Sequence, residues 1–290
     1  MILSGSTRGA LWMIGAAMSL VAMAVLVRFL TPKYSVLELI FLRNVIVLVL
    51  MTPWIMRTGL HNLRTPRLAG HALRNAFLYS GNVAWFFGVT MVSLADLAAL
   101  QFTMPLFTII MAAIALREKI GVHRWSATAV GFLGALVIIR PGIIELDLGA
   151  IVVLIAAFMY SAAYIVTKKL ASTESGNLVV FYMSVFIVAF AFIPAMVVWR
   201  TPDLIDAPAL IMLGAMGYTT HFCVTRAMAA ADASYVAPFD FLRLPMSAIL
   251  GYVLFQEVSD PWVWAGAAVI FWAAYYNTWM EKRAGGRPTR

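Results

Sequence analysis

Asp240 and Arg243 stand three residues apart in Ala231–Glu257 (ADASYVAPFDFLRLPMSAILGYVLFQE), a run that is otherwise almost wholly apolar. At helical spacing they share a face and can reach each other. An acid and a base near the middle of a membrane-length apolar stretch fit two readings. One is an ion pair that fixes its helix, since removing one partner of such a pair costs roughly 3–5 kcal/mol. The other is a clamp for a zwitterionic or polar solute, with Asp240 able to exchange a proton. Pro238 and Pro245 flank the pair. Each removes a helical hydrogen bond and frees a carbonyl, so both are expected hinge positions, together with Pro105.

Further polar groups lie on apolar helical faces. His221 shares a face with Tyr218 and Thr225. A lone helical histidine is commonly a hydrogen-bonded core residue, and the alternative is a titratable contact for solute or proton. Tyr79, Asn82 and Trp85 form one half-polar aromatic stripe, and Tyr160, Tyr164 and Thr167 form another. Gln101 stands with Met104 and Thr108. Such stripes serve as packing as often as sites, but an amide facing lipid is costly, so Asn82 and Gln101 are expected to face inward. Aromatic faces with amides and one ion pair suit a flat or cationic organic solute. Arg43 fits a structural donor and a solute contact equally well, and Arg74 is expected to reach the headgroups along its own stem.

Other chemistry is poorly served. The four histidines, His61, His71, His123 and His221, are scattered, and the single cysteine, Cys223, cannot form an intrachain disulfide. No metal site is expected. There is no G-x-x-x-x-G-K-[ST] phosphate loop and no other cofactor signature. A net charge of +8 spread between apolar runs forms no nucleic-acid face. A membrane-embedded enzyme would need paired carboxylates or a His/Asp couple inside the spans, and neither is seen.

The elements that position these groups follow from composition. The 290 residues are 63% hydrophobic and 12% charged, where a soluble domain is about half apolar and a quarter charged. Ten apolar stretches, each long enough to cross a bilayer, are expected at about 9–29, 35–56, 70–91, 95–116, 124–140, 148–168, 177–199, 208–229, 233–255 and 261–280. Backbone groups in lipid must pair within the segment, so the fold class is an all-α integral membrane protein with ten transmembrane helices. If the N-terminus is cytoplasmic, the inner loops hold Arg8, Arg57, Arg64, Arg67, Arg117, Lys119, Arg124, Lys168, Lys169, Arg226, Lys282, Arg283, Arg287 and Arg290. The outer loops hold only Arg28, Lys33, Arg140 and Arg200. That asymmetry puts both termini in the cytoplasm of a bacterial-type inner membrane. Glu38 is expected near the outer interface. Trp262, Trp264, Trp272, Tyr275 and Tyr276 are expected on a lipid face.

The halves also repeat. Ala84–Asp96 (AWFFGVTMVSLAD) aligns with Thr220–Asp232 (THFCVTRAMAAAD), each followed by a proline (Pro105, Pro245) and a closing acid (Glu118, Glu257). The aspartates lie 136 apart and the glutamates 139, so about one turn is inserted. Five helices per half makes the repeat inverted, a basis for alternating access. Domains are expected at 9–141 and 148–282. In the first half Gln101 and Pro105 occupy the region of the charged pair, so charge is expected mainly from the second half.

These residues resemble the EamA domain of the drug/metabolite transporter superfamily. The resemblance is carried by Met104–Thr108 through Arg117-Glu118, by Gly131–Pro141, and by Ala231-Asp232-Ala233 through Val236-Ala237-Pro238 to Gln256-Glu257. The last stretch is most similar to the S-adenosylmethionine uptake branch. Arg117 and Gln256 stand where the family often has glycine. The resemblance implies a ten-helix secondary-active or facilitative carrier of a small polar metabolite, an amino-acid derivative or a nucleoside- or flavin-type molecule. Export of amino acids or drugs is the alternative. The expected partners are the small-molecule substrate and the lipid bilayer, with a homodimer left open.

Overall fold

The computed structural model describes residues 5–59, 63–115, 122–140, 147–170, 176–230 and 239–285, and wherever described the apolar segments are helical. The order is α1 (Gly5–Leu30), α2 (Val36–Thr58), α3 (Leu68–Met91), α4 (Leu94–Gln101), α5 (Met104–Ala115), α6 (Val122–Ile139), α7 (Leu148–Leu170), α8 (Gly176–Val197), α9 (Ala207–Ala230), α10 (Arg243–Phe255) and α11 (Pro261–Gly285). Ser35 and Ser93 cap α2 and α4, accepting from the N–H groups of Leu37 and Asp96. Among the described residues six stretches are long and apolar enough to cross a membrane: Thr7–Leu30, Val36–Thr58, Leu94–Ala115, Leu148–Thr167, Leu178–Val197 and Leu204–Ala227. The protein is a multi-pass membrane protein.

Two segments expected as single helices, 95–116 and 233–255, are interrupted. Pro105 has no N–H for the Gln101 carbonyl, and α4 ends there. Phe102 and Thr103 turn the chain with tighter bonds, to Ala99 O and Leu100 O at 3.1 Å each. Pro245 likewise leaves the Phe241 carbonyl, which accepts from Leu244 N–H at 3.1 Å as α10 begins. Pro238 lies outside the described residues. Phe102 and Phe241 are 139 positions apart, the offset of the two glutamates, and their rings meet with centroids 4.1 Å apart. In the sequence, the three extra residues of the second half therefore lie between Asp232 and Phe241.

Packing has the same symmetry. α1 runs along α9 and α3 along α7; α2 packs on α8, α4 on α10 and α6 on α11. Exchanging the first five segments with the last five leaves this set of pairs unchanged, which fits a two-repeat layout. At the α6–α11 contact a Cβ on Gly134 would stand 2.8 Å from the Gly266 carbonyl oxygen, so only glycine lets these backbones approach so closely. On α11, Trp262, Trp264, Trp272, Tyr275 and Tyr276 are exposed, while Phe271 packs on Phe241 with ring centroids 4.7 Å apart. Cys223 is buried against Met13, Ala16 and Ala227.

One end of the bundle is tied by ionic contacts. Arg28 of α1 pairs with Glu257 and donates to the carbonyls of Val89 and Val92. Glu257 also accepts from Leu94 N–H, 2.8 Å away, at the start of α4. Lys33 pairs with Asp206 at 2.9 Å, and Arg140 pairs with Asp260. Glu38, expected near this interface, is fully buried and accepts from Arg200 N–H at 3.4 Å.

Candidate functional site

At the centre lies a cavity of about 410 Å³, inside the range of roughly 300–1,000 Å³ typical of ligand pockets. From α3, Arg74, Leu78, Asn82 and Trp85 line it; their spacing of four, four and three puts them on one helical face. α7 supplies Tyr160, Tyr164 and Thr167 opposite. Arg43 enters from α2, Thr220 and His221 from α9, Gln101 from the end of α4 and Arg243 from the start of α10. The two helix interruptions thus place Gln101 and Arg243 at the cavity's head. The cavity runs from there towards the end of the bundle opposite the ionic ties, where Arg74 and Thr167 sit near their helix ends.

The side chains are held by few but specific contacts. Tyr160 donates its hydroxyl to Asn82 Oδ1 at 3.0 Å. Arg74 donates through Nε to Thr167 Oγ1 at 2.7 Å and through Nη1 to Asn75 Oδ1 at 2.9 Å. Arg43 donates to Met23 Sδ at 3.6 Å, and its guanidinium lies 5.2 Å from the Phe86 ring. Its stem passes over Gly217, where an added Cβ would come 3.3 Å from Cδ. Arg243 sits 4.5 Å over the Phe102 ring and 3.4 Å from Asp240. The Nε of Arg243 and the Nε2 of Gln101 are buried without a hydrogen-bond partner. Both residues, with Ser247, also line a separate void of about 20 Å³, room for about one water.

Seven expected residues meet in this cavity: Asn82, Trp85, Gln101, Tyr160, Tyr164, His221 and Arg243. Asp240 is not on the wall and reaches the site through Arg243. Tyr218 lies in a neighbouring cavity of about 570 Å³ that shares His221. Tyr79 turns away and packs against Phe190, ring centroids 6.1 Å apart. Of the hinge positions, Pro105 and Pro245 mark the two interruptions.

Two corrections concern arginines. Arg74, expected to reach the headgroups, is 8% exposed and faces the cavity. Thr167 and Asn75 hold it there, and its stripe with Asn82 and Trp85 carried the signal. Charge was expected mainly from the second half, but the first half brings two guanidiniums, Arg43 and Arg74, and the second brings one on the wall.

The chain matches the EamA-like transporter family twice, over residues 7–140 and 147–279. It belongs to the EamA-like transporter family. Similar EamA proteins include the S-adenosylmethionine uptake transporter of Rickettsia bellii, 30% identical over 94% of each chain. The riboflavin transporter of Vibrio cholerae is 31% identical over 96% of this chain and 95% of its own. The riboflavin transporter of Brucella anthropi is 33% identical over 81% and 85%. A solved crystal structure superposes with a TM-score of 0.65 over 96% of this chain and 99% of the other; at 15% identity that shows the fold alone. This EamA protein is a transporter, not an enzyme.

Proposed function

We propose that the protein carries a small polar organic metabolite, an amino-acid derivative or a nucleoside- or flavin-type molecule, by alternating access. The observation that supports this most is the central cavity, where stacking rings, amides and guanidiniums converge from both halves. The ten segments act as ten transmembrane helices in two inverted repeats, 9–141 and 148–282. Both termini face the cytoplasm of a bacterial-type inner membrane, so the ionic ties close the outer end and the cavity faces inward. Asn82, Trp85, Gln101, Tyr160, Tyr164, His221 and Arg243 contact the substrate. Asp240 sets the position of Arg243, and Tyr79 and Tyr218 support the wall from outside it. Pro105, Pro238 and Pro245 serve as bends.

The test is uptake into proteoliposomes of S-adenosylmethionine and riboflavin, the solutes named for the relatives. Saturable uptake is expected for a solute of this class, reduced at least about tenfold in Arg243→Gln and by less in Asp240→Asn. Wild-type turnover in a well-folded Arg243→Gln variant would remove the central role given to that residue. With both termini cytoplasmic, a Thr65→Cys variant should be labelled only from the inner side, the buried Cys223 giving little background, and labelling from outside intact cells overturns this orientation.

A further inference from the structure

Arg43 and Arg74 are 6% and 8% exposed and line the same cavity as Arg243. Among the described residues neither Arg43 nor Arg74 pairs with a carboxylate; the ion pair near the wall is Arg243 with Asp240. Each guanidinium carries five N–H donors and no acceptor. Arg43 spends one on a thioether, a weak acceptor. Arg74 gives Nε and Nη1 to Thr167 and Asn75, neither of them a carboxylate. Arg243 has a buried Nε with no partner. Two buried guanidiniums and a third whose side chain is 12% exposed, against one carboxylate, are expensive in a bilayer interior, where such charges are ordinarily paired.

We infer that the transported solute bears an oxyanion, a carboxylate or a phosphate, taken by the guanidiniums of this cavity wall, with Arg243 at its head, Arg74 towards the other end and Arg43 entering from α2. This deepens the reading of the cavity as a metabolite site and rests on it. Guanidinium forks match carboxylate and phosphate oxygens two bonds at a time, which an ammonium does not. Trp85 and Tyr160 on the same wall supply faces for a planar ring. The expected substrate is therefore a heteroaromatic or aromatic acid rather than a neutral or purely cationic ring compound.

Matched pairs of probes test this on the purified full chain in detergent. Riboflavin is compared with its phosphate ester, flavin mononucleotide, and S-adenosylmethionine with its decarboxylated amine. Binding is measured by equilibrium dialysis and uptake in proteoliposomes. The anionic member of at least one pair should bind about tenfold tighter or more. A preference in the first pair identifies a phosphate, and one in the second a carboxylate. Arg43→Gln and Arg74→Gln should erase the preference, so that within each variant the two members of a pair bind alike, and Arg43→Lys should restore part of it. Equal or weaker binding of the anionic members overturns the proposal, and uptake of either member still upholds the transport reading. Absence of binding and uptake of all four solutes counts against the flavin and nucleoside reading instead. A benzoate and benzylamine pair then decides the anion question by thermal shift. Stabilisation by benzoate alone, lost in Arg43→Gln, supports it, and equal stabilisation by benzylamine overturns it.

Discussion

The Tyr160 hydroxyl joins α7 to α3 through Asn82 Oδ1, at 3.0 Å, in the middle of the cavity wall. Replacing Tyr160 with Phe keeps the ring and removes that bond, a net of about 0.5–1.5 kcal/mol. The expected outcome is a KM raised severalfold with little change in melting temperature, measured by uptake kinetics and thermal denaturation of the same preparations. Gly217→Ala is the complementary change. Its methyl group would press on the Arg43 stem, 3.3 Å from Cδ, and move the guanidinium without removing its charge. Affinity should fall while the fold is kept. At this scale Asn82 with Trp85, and Tyr160 with Tyr164 and Thr167, were legible because helical spacing assigns each set to one face, whereas Tyr79, grouped with the first set, packs on Phe190 instead. Arg43 and Arg74 were only half legible. Spacing puts Arg74 in line with Asn82 and Trp85, but whether a long cation snorkels or turns inward depends on acceptors supplied by other helices. Here these are Thr167 for Arg74 and the sulfur of Met23 for Arg43.

The informative elements are the two interrupted segments. Hydropathy reads 95–116 as one apolar run, and the structure breaks it at Phe102-Thr103 because Pro105 cannot donate to Gln101. The prolines themselves were visible in the sequence. What periodicity could not supply was the consequence, that each break delivers a polar residue, Gln101 or Arg243, to the same cavity. Pro105→Ala restores an N–H for the Gln101 carbonyl and allows α4 to run into α5. The expected result is a melting temperature held or raised, with transport reduced by about an order of magnitude, the usual trade where function needs a strained element. Unchanged uptake together with a higher melting temperature would show that the bend is structural only. At the α6–α11 contact, Gly266→Val should instead lower stability. Its added atoms meet the backbone of Gly134 and the side chain of Ile138, neither of which can yield cheaply.

For the whole molecule the two halves are alike in packing and unlike in state. The helix pairings survive exchange of the halves, yet the described ionic ties from α1, the α1–α2 loop and α6 all gather at one end. There the Asp206 carboxylate, bonded to the Lys33 ammonium, holds it above its ordinary range. Lys33 is well exposed, so this pair adds little to stability. The tie that matters more is Arg28 with Glu257, because Glu257 also receives the first N–H of α4 and so joins three elements. Under the proposed alternating access, with the ionic ties at the outer end, this contact breaks in each cycle, and weakening it shifts the population towards the outward-open state. Glu257→Gln keeps an acceptor for Leu94 N–H but loses the charge. Ala98, buried beside the small void under Gln101 and Arg243, reports on that opening when replaced by cysteine. In the Ala98→Cys background, Glu257→Gln should raise the rate of labelling by an impermeant maleimide from outside by about tenfold, the effect of a shift near 1.4 kcal/mol. An unchanged rate in a folded, transporting variant would mean that the outer end is closed by helix packing, with the ion pair a bystander.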